Sequence, residues 1–426
     1  MRLHALRVTA AGIAARGVHL LMYLWLGNRF GAGGITDQVF FLQAPLLVVA
    51  GILASTAQLV VMPAIHRAER DGLEPALERR LKLRGLAVVV PVTAAALAAA
   101  AVVSGYRDPT IVLLLAPAPA FAALAAVDAG VLNARGRHVR AALGPAYGGL
   151  AGALVLALLP RAGWALAAVL TAFEAGRWAG LRLHAGASDP AARRRPLPSA
   201  LLGWATREAV LQIAAVALVA LNPLVDVLFA RRLAPGSVTL LEYGSRLWYV
   251  VPLLLSGHLT IFHARFSRRA SGETATGPST HRSAAGLGLA ALVLSLAIAA
   301  AAPALVDLLY GFGRLGGGER DRLARVLQAY LVGAGPFLAG VVYVRALTAL
   351  GRSRAVVVAA GVSVAANVGL DALFVVYWGL TGLALATSAT FLLNALAVAA
   401  AFVLTTGGKE TPWPGADADR RAGPEP

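Results

Sequence analysis

Asp226, Glu242 and Arg246 lie inside two long apolar runs of the segment 221–267, which are joined by the short turn Ala234-Pro-Gly-Ser237. A charge near the centre of a bilayer costs about 2.5–3.5 kcal/mol, so residues of this kind line the path of something polar or pair with one another. Arg246 follows Glu242 by four positions, a spacing at which the two can neutralise each other on one helix face. The same guanidinium is a planar fork that matches phosphate oxygens, and both readings stand for it. Arg16 lies in the middle of the first apolar run, with His19 three and Tyr23 seven positions later on the same face. Arg16 either satisfies a carbonyl or carboxylate or contacts a phosphate. Glu174 and Arg177, spaced i,i+3, invite a self-neutralising reading. Asp128 has no partner near it in sequence, so it is either buried against a base of another helix or lines water. Asp37 follows Phe30-Gly-Ala-Gly-Gly-Ile-Thr36, where Thr36 or Asp37 is expected to cap a helix N-terminus, a place that favours an anion.

The elements that must hold these residues are membrane helices. Of 426 residues, 58% are hydrophobic, and the mean hydropathy is +0.71. Soluble domains hold about 45–50% apolar residues even with glycine included. Runs of about 20 apolar residues recur throughout, which predicts an all-α polytopic membrane protein. Twelve spans are expected, at 6–28, 38–64, 83–105, 109–133, 138–160, 163–184, 204–230, 238–263, 283–310, 324–350, 353–377 and 380–405. The first follows a start without a recognisable cleavage site and is expected to stay as an anchor.

Basic residues set the orientation. Arg67, Arg70, Arg79, Arg80, Lys82 and Arg84 fall in one connection, Arg135, Arg137 and Arg140 in another, then Arg193–Arg195, then Arg265, Arg268, Arg269 and Arg282, then Arg352 and Arg354. The alternate connections are sparse, except that Gly311–Arg325 holds Arg314, Arg320, Arg322 and Arg325 beside Glu319 and Asp321. The basic set belongs on the inside, which predicts a multi-pass protein of the cytoplasmic membrane with both termini cytoplasmic. The polar linker 185–203, with its Asp-Pro and Arg-Arg-Arg-Pro, separates an N-terminal six-helix lobe (1–184) from a C-terminal one (204–405). Two such lobes around a central cavity are typical of transporters with the substrate between repeats. The tail 406–426 is rich in Gly, Pro and charge and is expected to be disordered.

Several functions are disfavoured. The net charge of +17 sits in loops between spans, so it belongs to topology and not to nucleic-acid binding. Gly311-Phe-Gly-Arg-Leu-Gly316 fits a dinucleotide-binding string but no strand precedes it, so it reads as a turn. Cysteine is absent and the eight histidines are scattered, so neither a metal site nor a thiol nucleophile is expected. Without GxSxG or Walker-type loops, neither an enzyme nor a cofactor is expected.

Phe30-Gly-Ala-Gly-x-x-Thr-Asp37 resembles the FGAG-x-x-TDAF motif of MurJ/MviN-type lipid II flippases. Asn222-Pro-Leu-Val-Asp226, Ala234-Pro-Gly-Ser-Val238, Leu241-Glu-Tyr243 and Arg246-Leu247 are similar to that family's seventh-to-eighth span pattern. Leu309-Tyr-Gly-Phe-Gly313, Ala329-Tyr330, Arg345, Gly382-Leu-Ala-Leu-Ala-Thr-Ser388 and Asn394 follow in matching order. The resemblance implies the fold of the multidrug/oligosaccharidyl-lipid/polysaccharide exporter superfamily and alternating access around a cationic cavity. It carries cavity arginines onto Arg16 and Arg246, and an acid near the outer gate onto Asp37; His19 and Glu242 join the cavity set. Asp128, Asp226 and Arg345 are candidates for gating or coupling. The departures are Met22 where a second first-helix arginine is expected, Val49 near a second-span arginine, and Leu347-Thr348 for a Phe-Tyr pair. Glu242 is an added negative charge, and twelve spans stand where fourteen are typical, the last two helping to hold a lipid tail.

The expected function is a flippase, monomeric, for a polyprenyl-diphosphate-linked sugar such as lipid II. The lipid-linked oligosaccharide and membrane lipids are then its partners. A cation-coupled antiporter using acids such as Asp128, Glu174 and Asp226 is the alternative within the superfamily. A non-transporting envelope scaffold is the alternative outside transport.

Overall fold

The computed structural model describes residues 2–56, 61, 65, 68, 72–104, 109–186, 191, 195–197, 199–255, 259, 279–350 and 352–406. Among them there is no strand. The expected disordered tail, and Arg67, Arg70, Arg193, Arg194, Arg265, Arg268 and Arg269 of the basic connections, lie outside these residues.

The first two helices are α1 (Arg2–Phe30) and α2 (Gly34–Thr56). Then come α3 (Glu74–Ser104), α4 (Pro109–Leu115), α5 (Ala118–Ala134), α6 (His138–Ala142), α7 (Gly144–Leu158) and α8 (Gly163–Ala185). The chain continues through α9 (Ser199–Ala230), α10 (Ser237–Trp248), α11 (Thr280–Tyr310), α12 (Gly317–Val332), α13 (Ala334–Ala349) and α14 (Ser353–Thr406). Backbone groups in hydrocarbon must be satisfied within their own segment, which is why so apolar a chain is helical throughout. Pro45, Pro91, Pro223 and Pro303 lie inside helices, as membrane helices tolerate where neighbours compensate the lost bond.

Among the described residues, six helices are long and apolar enough to cross a membrane, or seven if α12 and the first part of α13, bent by 40°, form one span. One of the six, Arg354–Thr406, has 53 residues. At 1.5 Å per residue it would reach about 80 Å, more than twice a hydrocarbon core of about 30 Å. It breaks at Gly379, where φ is +55°, a conformation that glycine adopts freely and side chains resist. That is the connection expected at Trp378-Gly379. The architecture is therefore an all-helical, polytopic membrane fold.

The described chain divides into two compact units. One holds Met1–Leu247 and Pro303–Ala324; the other holds Trp248–Ala302 and the described residues from Arg325 on.

In the first unit, α7 packs on both α8 and α1. Small residues set the approach: a β-carbon at Gly148 would lie 2.7 Å from the Phe173 carbonyl oxygen, and one at Gly176 would lie 2.9 Å from that of Tyr147. A β-carbon at Gly152 would overlap the Met22 sulfur. With lipid tails as apolar as leucine, this close backbone contact is what drives the helices together. The second unit packs α13 along α14. Gly333 abuts Ser388, whose hydroxyl donates to the Ala329 carbonyl at 2.7 Å, and the Trp248, Phe337 and Phe391 rings meet edge-on or tilted nearby.

Asp128 is wholly buried on α5. It pairs with Lys82 of α3 and lies 3.7 Å from Arg182 of α8. Glu78 joins them, 2.7 Å from Lys82 and 3.0 Å from Arg182. Of the two readings open for Asp128, burial against bases of other helices is the one observed. Asp128→Ala leaves two cations sharing one carboxylate. It should lower stability by about 3 kcal/mol, the range for breaking a buried pair. The melting temperature of the solubilised protein checks this, with Asp128→Asn expected to be milder.

Candidate substrate site

The first-unit helices bring His19, Glu242 and Arg246 together around Tyr23. His19 stacks on Phe173 with ring centroids 4.2 Å apart, and Tyr23 meets His19 edge-on at 5.1 Å. The Arg246 guanidinium lies over the Tyr23 ring, 4.7 Å from its centroid, a cation–π arrangement. Glu242 Oε1 accepts from Arg246 Nε at 2.8 Å and from Nη2 at 2.5 Å. The i,i+4 pair anticipated from spacing is therefore formed, yet about a quarter of the Arg246 side chain stays accessible. The Tyr23 hydroxyl accepts from Gln43 at 3.3 Å. Arg16 is exposed, and no carboxylate lies within ion-pair distance of it among the described residues. Electrostatically, His19 feels Arg246, Arg177 and Arg16 together.

The cluster offers hydrogen-bond donors and positive charge. What it can do is hold an anion that has several oxygens.

A second constellation surrounds Asp37. Asp37 Oδ2 accepts from the Gly236 N–H at 2.6 Å, and Oδ1 accepts from the Thr239 N–H at 2.8 Å and its hydroxyl at 2.7 Å. Asp37 therefore does not cap its own helix, as the sequence suggested. It lies within the first turn of α2, donating its N–H to the Gly33 carbonyl, while the Thr36 hydroxyl bonds Gly33. The carboxylate instead caps α10, whose unpaired N–H groups and dipole favour an anion. Arg322 donates to the Ser237 hydroxyl at 2.8 Å. Asn28 donates to the Leu309 carbonyl at 2.7 Å, and its own carbonyl accepts from the Arg314 N–H at 3.0 Å. Tyr243, wholly buried, stacks on Tyr310 at 5.6 Å and donates to the Gly31 carbonyl at 3.3 Å. The loop ends around residues 28–37, 234–239 and 309–322 are thus tied by polar bonds over a buried aromatic pair.

The other expected residues lie elsewhere. Asp226 is buried on α9. Arg345, in the second unit, donates to the Leu259 carbonyl at 2.8 Å. Met22 is buried against Gly152, and Val49 is half-buried on α2. Phe173, Gln43 and Thr239 were not singled out from sequence; only the adjacency of Phe173 to Glu174 hinted at one of them. The second unit holds a further polar group: Asn367 donates to Asp371 Oδ2 at 3.0 Å, and Thr390 donates to Asn367 Oδ1 at 3.2 Å, all three wholly buried on α14.

The model of the lipid II flippase MurJ family matches residues 109–405. The chain belongs to that family. Among solved structures, a lipid II flippase MurJ in an inward closed conformation is similar at a TM-score of 0.74 and 14% identity, over 94% of this chain and 87% of that one. An inward-facing multidrug-resistance MATE transporter of the MOP superfamily gives 0.66 and 13%, over 94% and 97%. A MOP-superfamily transporter from Pyrococcus furiosus, described as having a binding pocket of reverse polarity, gives 0.66 and 13%, over 98% and 96%. At these identities the structural likeness establishes the fold, that of the MurJ and MATE transporters. No curated protein matches the sequence.

Proposed function

We propose that this MurJ-family chain flips lipid II, or a related polyprenyl-diphosphate-linked sugar, across the cytoplasmic membrane by alternating access. The observation that carries the proposal is the family match over residues 109–405, supported by Arg246 lying over Tyr23 beside His19 in the first unit. A bilayer blocks the polar headgroup while the tail can remain in lipid. A basic site offered alternately to each side is enough, and no covalent chemistry is required. The membrane potential, about 2.3 kcal/mol per charge per 100 mV, is an available driving force. The Asp37 constellation serves as the outer gate. Two six-helix lobes, 1–184 and 204–405, move about the site, and the protein works as a monomer with both termini cytoplasmic.

Topology is tested on single cysteines, since the chain has none of its own. A cysteine at Gly34, where an added β-carbon meets nothing within 4 Å, should react with an impermeant thiol reagent in intact cells. One at Ser199 should resist. Labelling at Ser199 from outside would overturn the orientation. For the substrate, mass spectrometry of lipid retained by the purified protein should find a polyprenyl diphosphate carrying sugar. Retention of ordinary phospholipid alone counts against it.

One observation favours a second reading, cation-coupled antiport. Asp371, buried beside Asn367 and Thr390, is an acid at membrane depth of the kind ion-driven transporters use. Proton- or sodium-driven uptake of an organic cation into vesicles, without lipid movement, would favour it.

A further inference from the structure

Beside the Arg246 site, the first unit holds a charged pair on α8 that the proposed function leaves unused. Arg177 lies 3.0 Å from Glu174 on α8, and the two side chains are 18% and 14% exposed. Spacing alone made this a self-neutralising pair near a helix end. The packing says more. Phe173, one turn before Arg177 on the same face, carries the ring on which His19 stacks at 4.2 Å. His19 meets Tyr23, and Tyr23 lies under Arg246. Arg177 and Arg246 therefore flank one row of aromatic rings, and Glu174 is near enough to feel the Arg246 charge. Each of these arginines is held by a glutamate of its own helix, at i,i+3 and i,i+4.

We infer that Arg177 is a third cation of the substrate site, and that Glu174 and Glu242 are resident counter-ions which the diphosphate displaces from Arg177 and Arg246. Bare guanidiniums at membrane depth would be costly in the empty state, and two resident carboxylates remove that cost. Arg246 now meets a single oxygen of Glu242, and Arg177 meets Glu174 through a single nitrogen; a diphosphate offers each arginine two oxygens, so the exchange gains bidentate geometry. Because α8 is pinned to α7 through Gly148 and Gly176, Arg177 can change partner without its helix moving. The two glutamates also set selectivity: a ligand with one negative charge cannot replace both, whereas a diphosphate can.

This inference rests on the diphosphate-lipid reading of the site. The test is equilibrium binding of undecaprenyl diphosphate, and separately undecaprenyl monophosphate, to the full chain in nanodiscs. Arg177→Gln should weaken diphosphate binding about tenfold or more and monophosphate binding much less. Glu174→Gln should tighten diphosphate binding several-fold and narrow the preference for diphosphate over monophosphate. Arg177→Gln and Glu174→Gln proteins that both bind like wild type would overturn the inference, as would Glu174→Gln weakening binding as much as Arg177→Gln. Should Arg177→Gln fold poorly, the Glu174→Gln/Arg177→Gln double variant removes the pair without leaving a charge behind. A tenfold loss there supports the inference, and wild-type affinity overturns it. If wild type ignores the diphosphate, the substrate reading itself falls. If Arg246→Gln weakens binding and Arg177→Gln does not, only the present inference falls.

Discussion

Arg246→Ala should lower the affinity for a polyprenyl diphosphate by about tenfold or more. A charge-assisted contact in a partly wet site is worth about 1.5–3 kcal/mol, and about 1.4 kcal/mol is a factor of ten. The loss has a second source. Arg246 is held by Glu242 at 2.5–2.8 Å, and without it that carboxylate faces the incoming anion unpaired. Arg246→Lys should recover only part of the affinity, since an ammonium lacks the fork and stacks less well over Tyr23. Glu242→Gln separates the two roles of the pair. If Arg246 serves the substrate, removing its competitor preserves or improves binding. If the pair is structural only, both variants lose folded protein alike, and binding per folded molecule stays unchanged. Titration in nanodiscs, normalised to folded protein, reads the difference, and the second outcome would move the chain toward the scaffold alternative.

The other large effect is expected at the gate. Asp37→Ala removes one carboxylate that accepts two backbone N–H groups and a hydroxyl from the start of α10. Loss of a helix cap costs about 0.5–2 kcal/mol, and hydrogen bonds to a charged group about 1.5–3 kcal/mol each. A net change of about 2 kcal/mol is already a factor of roughly thirty in the closed-to-open ratio. Ser237, wholly buried where these bonds are made, reports on them. A cysteine there should react slowly with an impermeant reagent in an otherwise unaltered chain, and many times faster beside Asp37→Ala. Thr239→Ala, which spares the backbone bonds, should fall between. Equal labelling rates in all three would show that the Asp37 bonds do not hold this end shut.

Much of this was readable in one sequence, and what was not has a common cause. The Glu242–Arg246 pair is local, and i,i+4 geometry predicts it. The break at Gly379 follows from a run too long for one bilayer crossing. Asp128 could be narrowed to two readings, but its partners Lys82 and Arg182 lie 46 and 54 residues away, on helices whose pairing no local pattern reveals. Thr36 or Asp37 could be named as a cap for α2, but not the helix that Asp37 does cap, which lies across 199 residues of chain, at Gly236. The stacking of Phe173 on His19 depends on Gly148, Gly152 and Gly176 letting α1, α7 and α8 approach closely. A glycine in a sequence does not say which neighbour it admits. Charges at membrane depth announce a polar task; the partners they meet are set by helix packing.

The most direct test is translocation itself. Purified protein is reconstituted into vesicles containing a fluorescent polyprenyl-diphosphate sugar, and an impermeant reductant is added to quench the outer leaflet. If the chain flips this lipid, the fraction protected in the inner leaflet is lost. Loss slows with Arg246→Ala, and a fluorescent phospholipid stays protected. A protected fraction that persists with folded, correctly inserted protein, at any membrane potential, would contradict the account.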